Sequence, residues 1–179
     1  MSRFFILYSL LLTSCYSNRN LETEVYNCLD SKINERSVGK SKEFFNYLKE
    51  LQQAFIDNNY LQDLTKDSYL SFLKKLYNNE TLAGEAFKNI DGQVSADFRF
   101  NLGTMFVYYK NCHRGLEITN AQTIAKLNSK LEIYDDLESK GFDDYKSFER
   151  LIDNTDFRSE KDKQMLLSLI YISVYTKSR

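Results

Sequence analysis

The sequence predicts an all-α, single-domain bundle of about six to eight helices, stapled by one disulfide. Three observations carry this. The 179 residues include no proline and only 6 glycines, so little interrupts long helices. Apolar residues recur three and four apart along most of the chain. The hydrophobic fraction is 42% and the aromatic fraction 15%, enough apolar surface to build a core. Such a length suits one domain.

The helical period begins at Leu21 and continues through Val25, Leu29 and Ile33. Ser37-Val38-Gly39 breaks it. From Ser41 to Asn58, Phe44, Leu48, Leu51 and Phe55 share one face, and Lys42, Glu43, Lys49, Glu50 and Gln52 take the other. Asp67 is placed to cap a third helix carrying Tyr69, Phe72, Leu73 and Leu76. A short helix follows over Glu80–Lys88, and Asp91-Gly92 marks a turn. Residues 97–101 alternate like a strand. The spacing of Met105, Phe106, Tyr109 and Cys112 nevertheless favours a helix that ends at Gly115. Asn120 caps the next, with Ile124, Leu127, Leu131 and Tyr134 inward and Gly141 at its end. Asp143 or Asp144 opens another, with Tyr145, Phe148, Leu151 and Ile152 inward. Ser159 starts the last helix. Its stretch Met165–Tyr175 is apolar almost all round, interrupted only by Ser168 and Ser173, so it is expected at the centre of the bundle. A strand over Ile170–Thr176 is the alternative, because Ile, Val and Tyr also favour sheets.

The N-terminus carries an address. Arg3 gives a positive start, Phe4–Leu12 is mostly apolar, and Leu12-Thr13-Ser14-Cys15 follows. An apolar run of that length spans only about 14 Å as a helix, short of the ~30 Å hydrocarbon core. This pattern resembles the signal peptide and lipobox of bacterial lipoproteins. The resemblance covers residues 1–15 and implies cleavage before Cys15 and lipid on its sulfur and amine. Residues 1–14 are then the signal peptide, 15–20 a lipidated polar tether, and 21–179 the helical domain. In enterobacterial lipoproteins an Asp after the Cys favours the inner membrane. Tyr16 stands there instead, which points to the outer membrane, with the domain facing the periplasm or the cell surface.

Two further cysteines remain, Cys28 and Cys112. An even pair in an oxidising compartment predicts a bridge between an early helix and the middle of the chain. Two buried free thiols are the alternative. The net charge is −1, which gives no electrostatic basis for binding nucleic acid or anionic lipid.

Sites of chemistry are few. The single histidine, His113, cannot supply a zinc set once the cysteines are bridged, and its place near a helix C-terminus suits a dipole-stabilised cation. No G-x-S-x-G, G-x-x-x-x-G-K or G-x-G-x-x-G is present. Asp135, Asp136, Glu138, Asp143 and Asp144 crowd around Gly141 without the alternation of a calcium loop. Asn79-Glu80-Thr81 matches a glycosylation sequon by chance composition. No catalytic residue, metal or cofactor is assigned. Among the 13 tyrosines, Tyr16, Tyr60, Tyr77 and Tyr108 fall at helix ends or off the apolar stripes, where interface tyrosines are common.

These features favour a membrane-anchored, non-enzymatic protein-binding module. The other class is a small-ligand-binding or hydrolytic domain with a pocket between helices. A special case of the first is an immunity-type inhibitor of a toxin. Amidase-immunity proteins of type VI secretion are similar in size, compartment and an early cysteine paired with a later one.

Overall fold

A computed structural model of the chain describes residues 21–36, 44–93, 96–115 and 121–179. The expected signal peptide and tether, with Cys15 and Tyr16, and also the break at 37–39, Ser41 and Asn120, lie outside them. So do the side chains of Leu21, Phe106 and Ile124. The described residues form eight helices and no strand: α1 Leu21–Arg36, α2 Phe44–Asp57, α3 Lys66–Asn78, α4 Glu80–Asp91, α5 Ala96–Arg114, α6 Ala121–Ser139, α7 Tyr145–Asn154 and α8 Glu160–Lys177. The all-α bundle is therefore what the chain adopts.

Both strand-like stretches are helical. Residues 97–101 lie in α5 and residues 170–176 in α8. In each, the period of the flanking apolar residues continues through the segment and outweighs the local alternation or β-branching. α4 runs past Lys88 to Asp91.

The caps explain several boundaries. Thr65, not Asp67, caps α3: its Oγ1 accepts from the Ser68 N–H at 3.5 Å. Asp63 holds Thr65 ready by accepting from its N–H and hydroxyl, at 3.0 and 2.6 Å. Asp67 is left as a first-turn acid, where the helix dipole favours it. Asn79 caps α4 by accepting from the Thr81 N–H at 3.1 Å. Asp144, rather than Asp143, caps α7 through the Ser147 N–H at 3.2 Å. Ser159 caps α8. Between α6 and α7 the chain turns through Gly141 and Phe142, both at φ near +60°. Glycine suits the first of these because it has no Cβ to clash.

α8 is the central helix. It packs against α2, α4 and α7. Met165 through Tyr171, with Ser173 and Val174, are buried, which accounts for a helix apolar on every side. The two serines fit because each is small. Ser168 donates to the Met165 carbonyl at 2.6 Å, and Ser173 is buried with its hydroxyl unbonded among the described residues. Around α8, α1 lies on α5 and α2, α3 on α4 and α7, and α6 on α7 and α5. Tyr145, expected inward, sits half-buried at the rim, its ring 5.5 Å from that of Tyr77.

Cys28 and Cys112 are bonded, with Cα atoms 5.8 Å apart, and join α1 to α5 across 84 residues. Closing a loop of that length contributes about 4–5 kcal/mol in the chain-entropy view.

Leu169 lies fully buried on α8. Leu169→Ala removes that contact and leaves a cavity, so it should cost about 2–5 kcal/mol. A urea or thermal melt measures it; a change within about 0.5 kcal/mol would mean that this face of α8 is not core.

Candidate functional site

The most unusual chemistry of the described residues is a charged cluster enclosed where α1, α6 and α8 meet. Lys130 on α6 is 2% exposed, and Asp162 in the first turn of α8 is equally buried. Lys130 Nζ donates to Asp162 Oδ2 at 2.7 Å and also to Glu22 Oε1 of α1. The Tyr26 hydroxyl of α1 donates to the other oxygen of Asp162. The Asp156 N–H, in the α7–α8 turn, donates to Oδ2 at 3.0 Å. Ser159 Oγ accepts from the Asp162 N–H at 3.3 Å, so the same residue that caps α8 also orients its acid. Toward the surface, Lys126 reaches the second oxygen of Glu22 at 3.1 Å.

A buried charge is tolerated only when paired and hydrogen-bonded, and this cluster meets that condition. One ammonium serves two carboxylates, and Asp162 accepts three bonds in all. Tyr109 and Tyr134 extend it, their ring centroids 5.0 Å apart, with Tyr26 6.3 Å from Tyr109. Burial, then the neighbouring phenols and carboxylates, pushes Tyr26 well above an ordinary phenol. Tyr109 and Tyr134 shift the same way, again chiefly by burial. All three therefore stay protonated at neutral pH. The cluster offers neither a base nor a nucleophile with access to a substrate. Two open depressions mark the surface. One, of about 460 Å³, lies between α3 and α4 beside Lys74, Lys75 and Asn79. The other, of about 430 Å³, lies along α2 beside Lys49 and Glu50. Neither is lined by a residue of the cluster.

The spacing of apolar residues predicts Leu131 on the inward stripe of α6. The buried stripe is instead Leu127, Lys130, Ile133, Tyr134 and Leu137, with Leu131 half-buried. Lys130 stands three residues after Leu127 and four before Tyr134, so it satisfies the helical period as well as Leu131 does. A lysine at that spacing was the available signal, together with the Ser159-to-Asp162 interval of a cap whose third residue is acidic.

The expected site residues are distributed differently. Cys28 and Cys112 come together; Cys15 lies outside the described residues. His113 is not an exposed helix-end cation. It is 8% exposed, its Nε2 has no hydrogen-bond partner among the described residues, and burial, then the charge of Arg114, lowers its pKa. The neutral imidazole follows the bridged Cys112 directly in the chain. The acids near Gly141 are each occupied. Asp135 and Glu138 pair with Lys110, and Asp136 with Arg150 at 2.9 Å. Asp143 pairs with Lys177, and Asp144 with Lys140 at 2.7 Å.

The tyrosines expected at the surface pack instead. Tyr60 lies on Phe55 and Phe72 and accepts from Asn89 at 2.8 Å. Tyr77 lies under Lys177, whose Nζ is 4.0 Å from the ring centre. Tyr108 is half-buried against the core. The one large apolar side chain exposed among the described residues is Val107, at 55%. The chain matches no family model, no characterised protein and no solved structure.

Two outcomes follow from the buried charges. Lys130→Met removes the ammonium from two carboxylates and should cost about 3–5 kcal/mol. Urea titration should show a lower midpoint with an unchanged slope. His113 gives a pH dependence. Its folded pKa lies below the unfolded value near 6.5, so the unfolded chain binds more protons as the pH falls through 6.5. Stability should therefore drop on acidification from pH 7 to 5. His113→Gln should flatten that slope in thermal melts, and an equal slope in both proteins would disprove the assignment.

Proposed function

We propose that this protein is a lipid-anchored, extracytoplasmic lipoprotein of the outer membrane that acts as a non-enzymatic protein-binding module. The observation that carries the compartment is the Cys28–Cys112 disulfide, because such bridges persist where the surroundings are oxidising. It agrees with the Leu12-Thr13-Ser14-Cys15 sequence, whose product would carry its membrane affinity in acyl chains at about 0.8 kcal/mol per buried CH2. Among the described residues no helix is long and apolar enough to cross a membrane.

What supports binding over catalysis is the use made of ionisable groups. Lys130, Asp162 and Glu22 satisfy one another, and the buried phenols are held neutral. The acids around Gly141 neutralise lysines and an arginine on neighbouring helices. These charges are committed to holding the scaffold, which leaves a rigid body suited to presenting a surface.

Cys15→Ser should move the protein from the detergent phase to the aqueous phase on phase separation, with its melt unchanged. The parent's mass should exceed that of the chain from Cys15 onward by its acyl groups. A parent protein without that added mass would refute the anchored reading.

A further inference from the structure

The bundle has two distinguishable poles. At one, α1, α3 and α8 begin and α7 ends. Tyr26 of α1 reaches Asp162, Lys66 of α3 reaches Asp153 of α7 at 2.8 Å, and the Tyr69 ring lies 5.5 Å from Phe157 in the α7–α8 turn. At the other pole, α3, α6 and α8 end and α7 begins, as the contacts of Lys177 with Tyr77 and Asp143 show. Along α8, Lys163 and Lys177 are about 21 Å apart at 1.5 Å per residue.

We propose that the pole where α1 begins is the face held against the lipid headgroups of the anchoring bilayer, through a charge-balanced surface suited to zwitterionic lipid, so that the opposite pole points outward. This rests on the lipid-anchored reading above. The first turn of α1 is fixed in the body by Glu22, so the tether leaves the domain at a defined place. From Cys15 to Leu21 even a fully extended chain reaches only about 20 Å. The starting pole is therefore always within that distance of the bilayer, whereas the far pole swings out to about twice as far. Charge decides the kind of lipid. Most described ionic groups of the starting pole occur as opposite-sign pairs: Glu22 with Lys126, Lys66 with Asp153, Asp156 with Arg158 and Glu160 with Lys163, while Lys161 is held by Asn27 Oδ1 and lies over the Phe45 ring. Among the described residues, such a surface gathers no cluster of unmatched bases to select anionic headgroups.

The test uses the full lipidated protein on phosphatidylcholine vesicles that carry a headgroup-labelled energy acceptor. A donor fluorophore is attached at Arg158→Cys, whose side chain is 93% exposed, or at the exposed far-pole position Asn78→Cys. The native bridge keeps Cys28 and Cys112 from reacting. Transfer should be clearly more efficient from position 158, and neither added phosphatidylglycerol nor salt should change it. Equal or reversed efficiencies would overturn the orientation. Transfer that rises with phosphatidylglycerol and falls with salt would overturn the zwitterionic match. A parent protein that does not float with the vesicles would remove the anchored reading and this proposal together, which separates that failure from an orientation failure.

Discussion

Lys130 occupies a position where the helical period calls for an apolar side chain, and much of the packing depends on how that charge is resolved. Its ammonium is held between Asp162 of α8 and Glu22 of α1. The effect is asymmetric. Against apolar replacements such a pair adds little net stability, but any packing that separates the partners strands a charge in a medium of low dielectric. The register of α1 against α6 and α8 is thus fixed more tightly than apolar contact alone would fix it. The α7–α8 turn joins the same network, because Asp162 also takes the Asp156 N–H.

Aromatic side chains distribute this order through the core. Tyr26, Tyr69 and Tyr171 are almost wholly buried, yet each hydroxyl has an assigned acceptor: Asp162, the Lys163 carbonyl and Asp91 respectively. The last two acceptors lie at the opposite end of each ring from the apolar packing, so the phenols act as struts between helices rather than as fill. That use accounts for the burial of these three tyrosines despite their polar ends.

Much of the fold was legible because its signals are local. The Ser159 cap, the turn at Gly141 and the all-round apolarity of Met165–Tyr175 each identify an element from a few residues. The pairing of Cys28 with Cys112 followed from their number once Cys15 was set aside. What was not legible required knowing a helix's rotation. On α6, the sets 127/131/134 and 127/130/134 both obey spacings of three and four, and only the second contains Lys130. On α8, apolarity on all sides leaves no phase from which the partner of Asp162 can be read. His113 shows the same gap in another form: its place at the end of α5 is plain from sequence, but its burial depends on tertiary packing that the sequence does not display. Thr65 won over Asp67 because Asp63, two residues earlier, had already bent the chain.

The span of the central charge network has a consequence for the order in which the chain is made. Glu22 and Tyr26 emerge first, yet their partners Lys130 and Asp162 follow more than a hundred residues later. The first helix therefore waits through most of synthesis with its polar groups still served by water. The oxidised bridge to Cys112 is available sooner and closes α1 through α5 into a ring. Only when the last helix arrives can the enclosed charges be neutralised, so native assembly is a late event governed by distant contacts, the kind that sets slow folding. In such a chain the contacts that enclose its buried charges are among the last that can form.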